Sequence, residues 1–81
     1  MSTTIFIGNL PSGTSAEDIQ QELMDLGAPL LKISQVEGGN PDKLTFAAEL
    51  DIDHHTAKLM VGRRKKRYFK GRQISIFVPT L

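Results

Sequence analysis

The sequence predicts an α+β sandwich in which four antiparallel strands form one sheet and two helices cover one of its faces. Apolar strand-like segments and amphipathic helix-like segments alternate in the order β-α-β-β-α-β, and no segment repeats another. The chain has 81 residues, a length that supports one domain, here residues 1–81, and leaves no room for a second. The other face of the sheet is left open in this arrangement.

The first elements are a strand and a helix. Residues 4–8 are rich in strand-forming residues, and the loop residues Asn9 to Gly13 follow. The helix begins at a capping box, formed either by Ser15 with Asp18 or by Thr14 with Glu17. It ends at Gly27, and Pro29 prevents its continuation. The apolar side chains expected on its buried face are Ile19, Leu23 and Leu26.

The rest of the chain predicts three further strands and a second helix. Residues 30–36 form the second strand, and residues 43–50 alternate cleanly between apolar and polar side chains, as in a half-buried strand. Asp53 can cap a helix that runs to about residue 61. The following segment, up to Gly71, forms either a loop or a short hairpin, and residues 73–78 form the last strand.

Charge is distributed very unevenly along the chain. Residues 1–62 contain all nine acidic residues and three basic residues, whereas residues 63–81 contain seven basic residues and no acidic one. Such a block usually indicates an anionic partner, most often a nucleic acid, although a solvated loop without a partner is the simpler alternative. The basic residues of this segment are Arg63, Arg64, Lys65, Lys66, Arg67, Lys70 and Arg72.

The composition argues against several kinds of chemistry. The chain contains no cysteine, which excludes disulfide scaffolds, thiolate metal sites and cysteine nucleophiles. It has no phosphate-cradling glycine loop, nucleophile elbow or paired carboxylates, so we predict no catalytic residue and no cofactor. His54 and His55 are adjacent, point apart and have no third ligand nearby, so we predict no metal site.

The sequence also lacks features of membrane and secreted proteins. No apolar run approaches the ~18 residues that span a bilayer, and the N-terminus does not have the pattern of a signal peptide. We therefore expect a monomer in the cytoplasm, or in the nucleus of a nucleated cell, where residues 63–67 could act as an import signal. A fragment of a longer chain is the alternative to a protein that begins at its own Met1.

A known family is recognisable in the first strand. Residues 5–10, Ile-Phe-Ile-Gly-Asn-Leu, match the hexapeptide of the RNA recognition motif at every position, and they lie on the strand that carries it in that family. The resemblance continues in register through Pro11, the helix that ends at Gly27, the third strand and Gly71-Arg72, so it covers about residues 3–78. It implies a ferredoxin-like sandwich that binds single-stranded RNA on its open sheet face.

The third strand departs from that family. Its octapeptide carries outward aromatic residues that stack bases, but the corresponding residues 43–50 place Thr45 and Ala47 at those positions. Phe6 is the stacking ring that remains. Phe77 is expected to face the same surface and to supply a second ring, unless it packs under the C-terminal tail.

Two functions follow from these observations. The first is binding of single-stranded RNA, with single-stranded DNA as a possible second ligand, by stacking on a few rings and by phosphate contacts that confer weak sequence selectivity. The alternative is a protein-interaction module, whose partner docks on the depleted sheet face or on the helices. The expected RNA-binding residues are Phe6, Lys43, Thr45, Ala47, Arg63, Arg64, Lys65, Lys66, Arg67, Tyr68, Lys70, Arg72 and Phe77.

Overall fold

The computed structural model describes residues 2–25, 27–36, 42–63 and 67–79, with the side chain of Arg67 excepted. Seven elements follow one another along the chain. They are β1 (Thr3–Leu10), α1 (Ala16–Asp25), β2 (Leu30–Val36), β3 (Leu44–Leu50), α2 (His54–Gly62), β4 (Arg67–Phe69) and β5 (Arg72–Phe77).

The sheet has five strands in the spatial order β2-β3-β1-β5-β4, and neighbouring strands are antiparallel. The prediction of four strands is therefore wrong by one. The additional strand, β4, is three residues long and pairs with β5. Lys70 and Gly71 form the turn, both at positive φ (51° and 78°), as in a two-residue type I′ hairpin whose twist matches that of its strands. Of the two alternatives for this segment, the short hairpin is the one observed.

Local hydrogen bonds set both ends of α1. The Asp18 N–H donates to Ser15 Oγ at 3.2 Å and the Ser15 N–H donates to Asp18 Oδ2 at 3.1 Å, which is the first of the two predicted capping boxes. At the other end of α1, Gly27 has a φ of 77°, and the Ala28 N–H donates to Leu23 O at 3.0 Å. This is a Schellman motif, which needs a left-handed residue at the glycine position.

The core lies between one face of the sheet and the two helices. Alternation along each strand sends every second side chain to this face. Ile19 and Leu23 of α1 are fully buried there, as predicted, while Leu26 lies outside the described residues. The buried apolar side chains are Ile5, Ile7, Leu10, Ile19, Leu23, Ala28, Phe46, Ala48, Leu50, Ala57, Phe69 and Ile74.

We expect the unfolding temperature to fall in acid, and Asp53→Asn to reduce that fall. The Thr56 hydroxyl and the Thr56 backbone N–H hold the pKa of Asp53 below 3.8, so its stabilisation is present above the unfolded value and is lost as the pH falls through the folded pKa. Asparagine caps helices about as well as aspartate and does not titrate. Melting curves between about pH 6 and about pH 2.5 check this. Asp51→Asn, at an exposed position that is not a cap, is the control, and an equal fall in all three proteins would contradict the prediction.

Candidate nucleic-acid interface

Two phenylalanine rings lie stacked on the open face of the sheet. Phe6 of β1 and Phe77 of β5 are register partners, and their ring centroids are 5.6 Å apart with an interplanar angle of 23°. Because Ile5 and Ile7 are buried in the core, alternation turns Phe6 to the face opposite the helices. Phe77 is 57% exposed. Phe6 is half-buried. We call Phe6 and Phe77 the aromatic platform, because these two apolar rings lie together on the open face.

On the side of the aromatic platform that faces β3, the neighbouring residue is the small Ala47. Ala47 is the register partner of Phe6, and Ser34 of β2 is the partner of Ala47. Thr45 and Ala47 are half-buried, and alternation against the buried Phe46 places them on the open face. The aromatic surface therefore extends across β1 and β5, whereas the family pattern predicts it across β1 and β3.

Gly8 is two residues after Phe6 and lies on the same face of the sheet. Because it has no side chain, the surface beside the Phe6 ring is lower there. A Cβ at this position would lie 3.2 Å from Ser75 Oγ and 3.4 Å from Thr45 Oγ1. The side chains of the two flanking strands thus approach each other over the glycine. This close approach favours glycine here, because any larger residue would displace one of the two hydroxyls.

A β-bulge allows β1 to continue past the predicted end at Gly8. The register of β1 against β3 shifts between Ile7 and Leu10, and Asn9 within the shift has a φ of 60°, a conformation that asparagine tolerates better than most residues. Its Nδ2 donates to Gln73 O at 2.6 Å. Asn9, which the sequence predicts to lie in the loop after the first strand, therefore joins β1 to β5.

Tyr68 supplies a third ring on the open face. It is the register partner of Gln73, which alternates with the buried Ile74 and so faces away from the helices. Tyr68 is 67% exposed, whereas Phe69 next to it is buried in the core. The β4–β5 hairpin thus holds Tyr68 at the β4 edge of the face that carries the aromatic platform.

Two basic residues of the 63–72 segment are engaged by other parts of the chain. Lys70 Nζ lies 3.5 Å from Asp18 Oδ2 at the start of α1 and 5.4 Å from the centroid of the Phe69 ring. Lys70 is therefore on the helix side of the sheet. Arg72 Nη1 donates to the backbone carbonyl of Asp42, just before β3. Arg72 thus connects the start of β5 to the start of β3.

The other expected cations are described only in part. Arg63 is exposed at the end of α2, and Lys43 is exposed just before β3. Residues 64–66 lie outside the described residues, as does the side chain of Arg67. The structure therefore brings Phe6, Phe77, Tyr68, Thr45 and Ala47 to one face and carries Lys70 away from it.

A shallow depression of about 210 Å³ lies on the open face beside the platform. Glu49 Oε2 accepts a hydrogen bond from the Ser2 hydroxyl at 2.7 Å, and Lys32 is the register partner of Glu49. Sequence reasoning gave these residues no role. Alternation in β2 and β3 was an available signal, but it does not show which residues of two strands lie side by side. The lining residues are Thr4, Lys32, Ser34, Ala47 and Glu49.

Two other features of the described residues bear on function. No group of three or more His, Asp or Glu side chains in this part of the chain is arranged to hold a metal ion, and His54 and His55 lie in the first turn of α2. Within the same residues, neither helix has the length and apolar character needed to cross a bilayer.

Comparison with known proteins gives matches among solved structures. No family model matches the sequence, and no curated protein matches it. The third RNA recognition motif of Pes4 superposes with a TM-score of 0.76 at 22% identity over 96% of this chain and 92% of that chain. The third such motif of Mip6 gives a TM-score of 0.78 at 20% identity, over 96% and 93%. This chain has the RNA recognition motif fold.

A third similar structure with the RNA recognition motif fold contains a ligand. It is the first motif of SR1 from Plasmodium falciparum in complex with ACAUCA RNA, with a TM-score of 0.65 at 23% identity over 98% of this chain and 85% of that chain. The rings of the chain described here lie on two neighbouring strands, β1 and β5. Phe77 on the last strand lies against Phe6, while Thr45 and Ala47 leave β3 without an aromatic side chain on the open face.

Proposed function

We propose that this protein binds single-stranded RNA across the open sheet face, with weak sequence selectivity. The observation that carries the proposal is the aromatic platform, two stacked rings that are accessible from the face opposite the helices. A nucleobase that stacks on such a ring contributes ~1–3 kcal/mol. Stacking accepts every base, so most of the affinity is independent of sequence. The complex of the SR1 motif with ACAUCA RNA supports this class of ligand.

The positions of the rings indicate how long the ligand must be. Tyr68 lies beside Gln73, and Gln73 is four residues from Phe77 along β5. At ~3.4 Å per residue the two ring positions are about 14 Å apart, so a strand needs at least about three nucleotides to reach both. We expect bases at the two ends of such a segment to stack on the platform and on Tyr68.

Phosphate contacts are assigned to the basic segment. Arg63 begins it at the exposed end of α2, and the β4–β5 hairpin that ends it also carries Tyr68. Cations beside a stacking ring are typical of grooves that hold single strands. Lys70 is not part of this assignment, because its ammonium group lies against Asp18 on the helix side.

Single strands fit this surface better than duplexes. The open face is a sheet whose helices lie on the other side, so neither helix is positioned to enter a groove of a duplex. The preference for RNA over DNA rests on the resemblance to the family alone. Titrations of a labelled random-sequence RNA, the matching DNA and an RNA duplex, followed by fluorescence anisotropy, test both statements. Tight binding of the duplex would contradict the proposal. The absence of binding to all three nucleic acids would contradict it as well.

A protein-interaction function is the second candidate, and one observation favours it. Met24 of α1 and Leu59 of α2 are 59% and 52% exposed, so each helix presents a large apolar side chain to solvent. Chemical-shift mapping distinguishes the two functions. RNA added to the labelled protein is expected to perturb the amides of Phe6, Ala47 and Phe77, whereas the absence of any perturbation by RNA would support the alternative.

Thr45→Tyr is expected to tighten RNA binding about five- to a hundredfold, by adding a stacking ring worth ~1–3 kcal/mol. Thr45 faces outward, and Gly8 beside it has no side chain to obstruct a ring. Anisotropy titrations measure the change. Gln20→Tyr, at an exposed position on α1, controls for a ring added elsewhere. Unchanged affinity in a folded Thr45→Tyr protein would count against binding on the sheet face.

A further inference from the structure

We infer that the depression at the β2 end of the open face is a cytosine subsite, in which Glu49 and Lys32 read the edge of the base. The inference rests on the proposed function, because it requires a single strand on this face. Ala47 lines the depression and is the register partner of Phe6. A strand with one base stacked on the Phe6 ring therefore places a neighbouring base over the depression.

The shape of the site follows from the side chains of β3. A ring at position 47 would fill this part of the face, but the methyl group of Ala47 leaves it open. The resulting volume of about 210 Å³ accommodates one pyrimidine ring. Thr4 and Ser34 also line it, and their hydroxyl groups can donate or accept hydrogen bonds.

The depression presents one acceptor and one donor side by side. The Ser2 hydroxyl donates to Glu49 Oε2 at 2.7 Å and orients the half-buried carboxylate. Among the described residues, Oε1 has no hydrogen-bond partner. Lys32 lies directly across from Glu49 on the neighbouring strand, and its ammonium group is a donor only. The Glu49 and Lys32 charges offset each other, so the depression has no excess positive charge to hold a phosphate, and the base is the part of a nucleotide that enters.

Cytosine matches this pair better than uracil does. Its edge carries the N4 amino group, a donor, next to the N3 acceptor, so N4 can donate to Glu49 while Lys32 donates to N3. Glutamate accepting from cytosine N4 is a known mode of base recognition. Uracil has one donor on this edge, N3–H, which lies between two carbonyl oxygens. A carboxylate that accepts from N3–H is held close to both of these oxygens, and like partial charges repel. Guanine offers two adjacent donors, which fit best to a carboxylate whose oxygens have no other contacts, whereas here the Ser2 hydroxyl already occupies one lone pair of Oε2.

The test compares short homopolymers of cytidine, uridine, adenosine and guanosine of equal length, at one salt concentration, by fluorescence anisotropy. We expect wild-type protein to bind the cytidine oligomer about five- to tenfold more tightly than the uridine oligomer. In Glu49→Gln this ratio is expected to approach one, because the amide can offer either an oxygen to cytosine or an N–H to uracil. Glu17→Gln, an identical change at an exposed position on α1, is expected to keep the wild-type ratio.

The outcomes separate this inference from the proposed function. A cytidine preference that disappears in Glu49→Gln and persists in Glu17→Gln supports the subsite. Equal binding of cytidine and uridine oligomers, a preference that survives in Glu49→Gln, or tighter binding of a purine oligomer overturns the subsite and leaves the proposed function standing. The absence of binding to all four oligomers overturns both.

Discussion

The double variant Phe6→Leu, Phe77→Leu is expected to bind single-stranded RNA at least about tenfold more weakly than wild type, because stacking on an aromatic ring is worth ~1–3 kcal/mol per base. Leucine keeps an apolar side chain at each position but removes the planar surface. Since the two rings stack on each other, the single variants are not independent, and their effects need not add up to that of the double variant. Anisotropy titrations of all three variants and wild type give the losses and the coupling between the rings.

Two further variants locate this effect. Phe77→Tyr keeps a ring at an exposed position and is expected to retain wild-type affinity. Leu59→Ala removes an apolar side chain of similar exposure (52%, against 57% for Phe77) from the helix side and is expected to leave RNA binding unchanged. If the double leucine variant folds and keeps wild-type affinity, the platform is not the binding surface and the proposal fails.

Replacing Arg63, Arg64, Lys65 and Lys66 by glutamine is expected to flatten the salt dependence of binding. Each phosphate contact on a single strand adds about 0.7 to the slope of log affinity against log salt, so three to five contacts give a wild-type slope of roughly −2 to −3.5. The variant removes four positive charges from the segment and is expected to lose most of that slope. Affinity at low salt is expected to fall as well, with base stacking unaffected.

The structure supplies two controls for this experiment. Lys70→Gln changes a cation of the same segment that lies against Asp18, and Lys58→Gln changes an exposed cation on α2. Both are expected to keep the wild-type slope. A quadruple variant whose slope equals that of wild type would show that the segment does not contact phosphates.

Much of this fold can be predicted because its signals are local. The hexapeptide at residues 5–10 identifies the central strand, and the capping box at Ser15 and the cap at Asp53 place the starts of both helices within the sequence itself. Alternation also separates Tyr68 from Phe69. The additional strand, β4, was harder to predict, because the turn that joins it to β5 requires Lys70 at a φ of 51°. Lysine rarely adopts this left-handed conformation.

The parts that sequence reasoning missed depend on contacts between distant residues. The interaction of Lys70 with Asp18 and that of Arg72 with the Asp42 carbonyl redirect two cations that the sequence groups with the rest of the block. The pairing of Lys32 with Glu49 depends on the register of β2 against β3, which is set by a shift between Leu30 and Lys32. Neither composition nor periodicity contains this information.

The central position of β1 also has a consequence for how the protein is made. Its two neighbours in the sheet are β3 and β5, so the strand synthesised first pairs with residues as far along as Phe77. Closing loops of this length before any contact forms costs entropy and slows folding. During translation β1 can acquire β3 as a neighbour, but its other edge stays unpaired until β5 has left the ribosome. Until Arg72–Phe77 is available, the nascent domain therefore exposes the unpaired edge of an apolar strand, the condition under which chaperone binding or aggregation competes with folding.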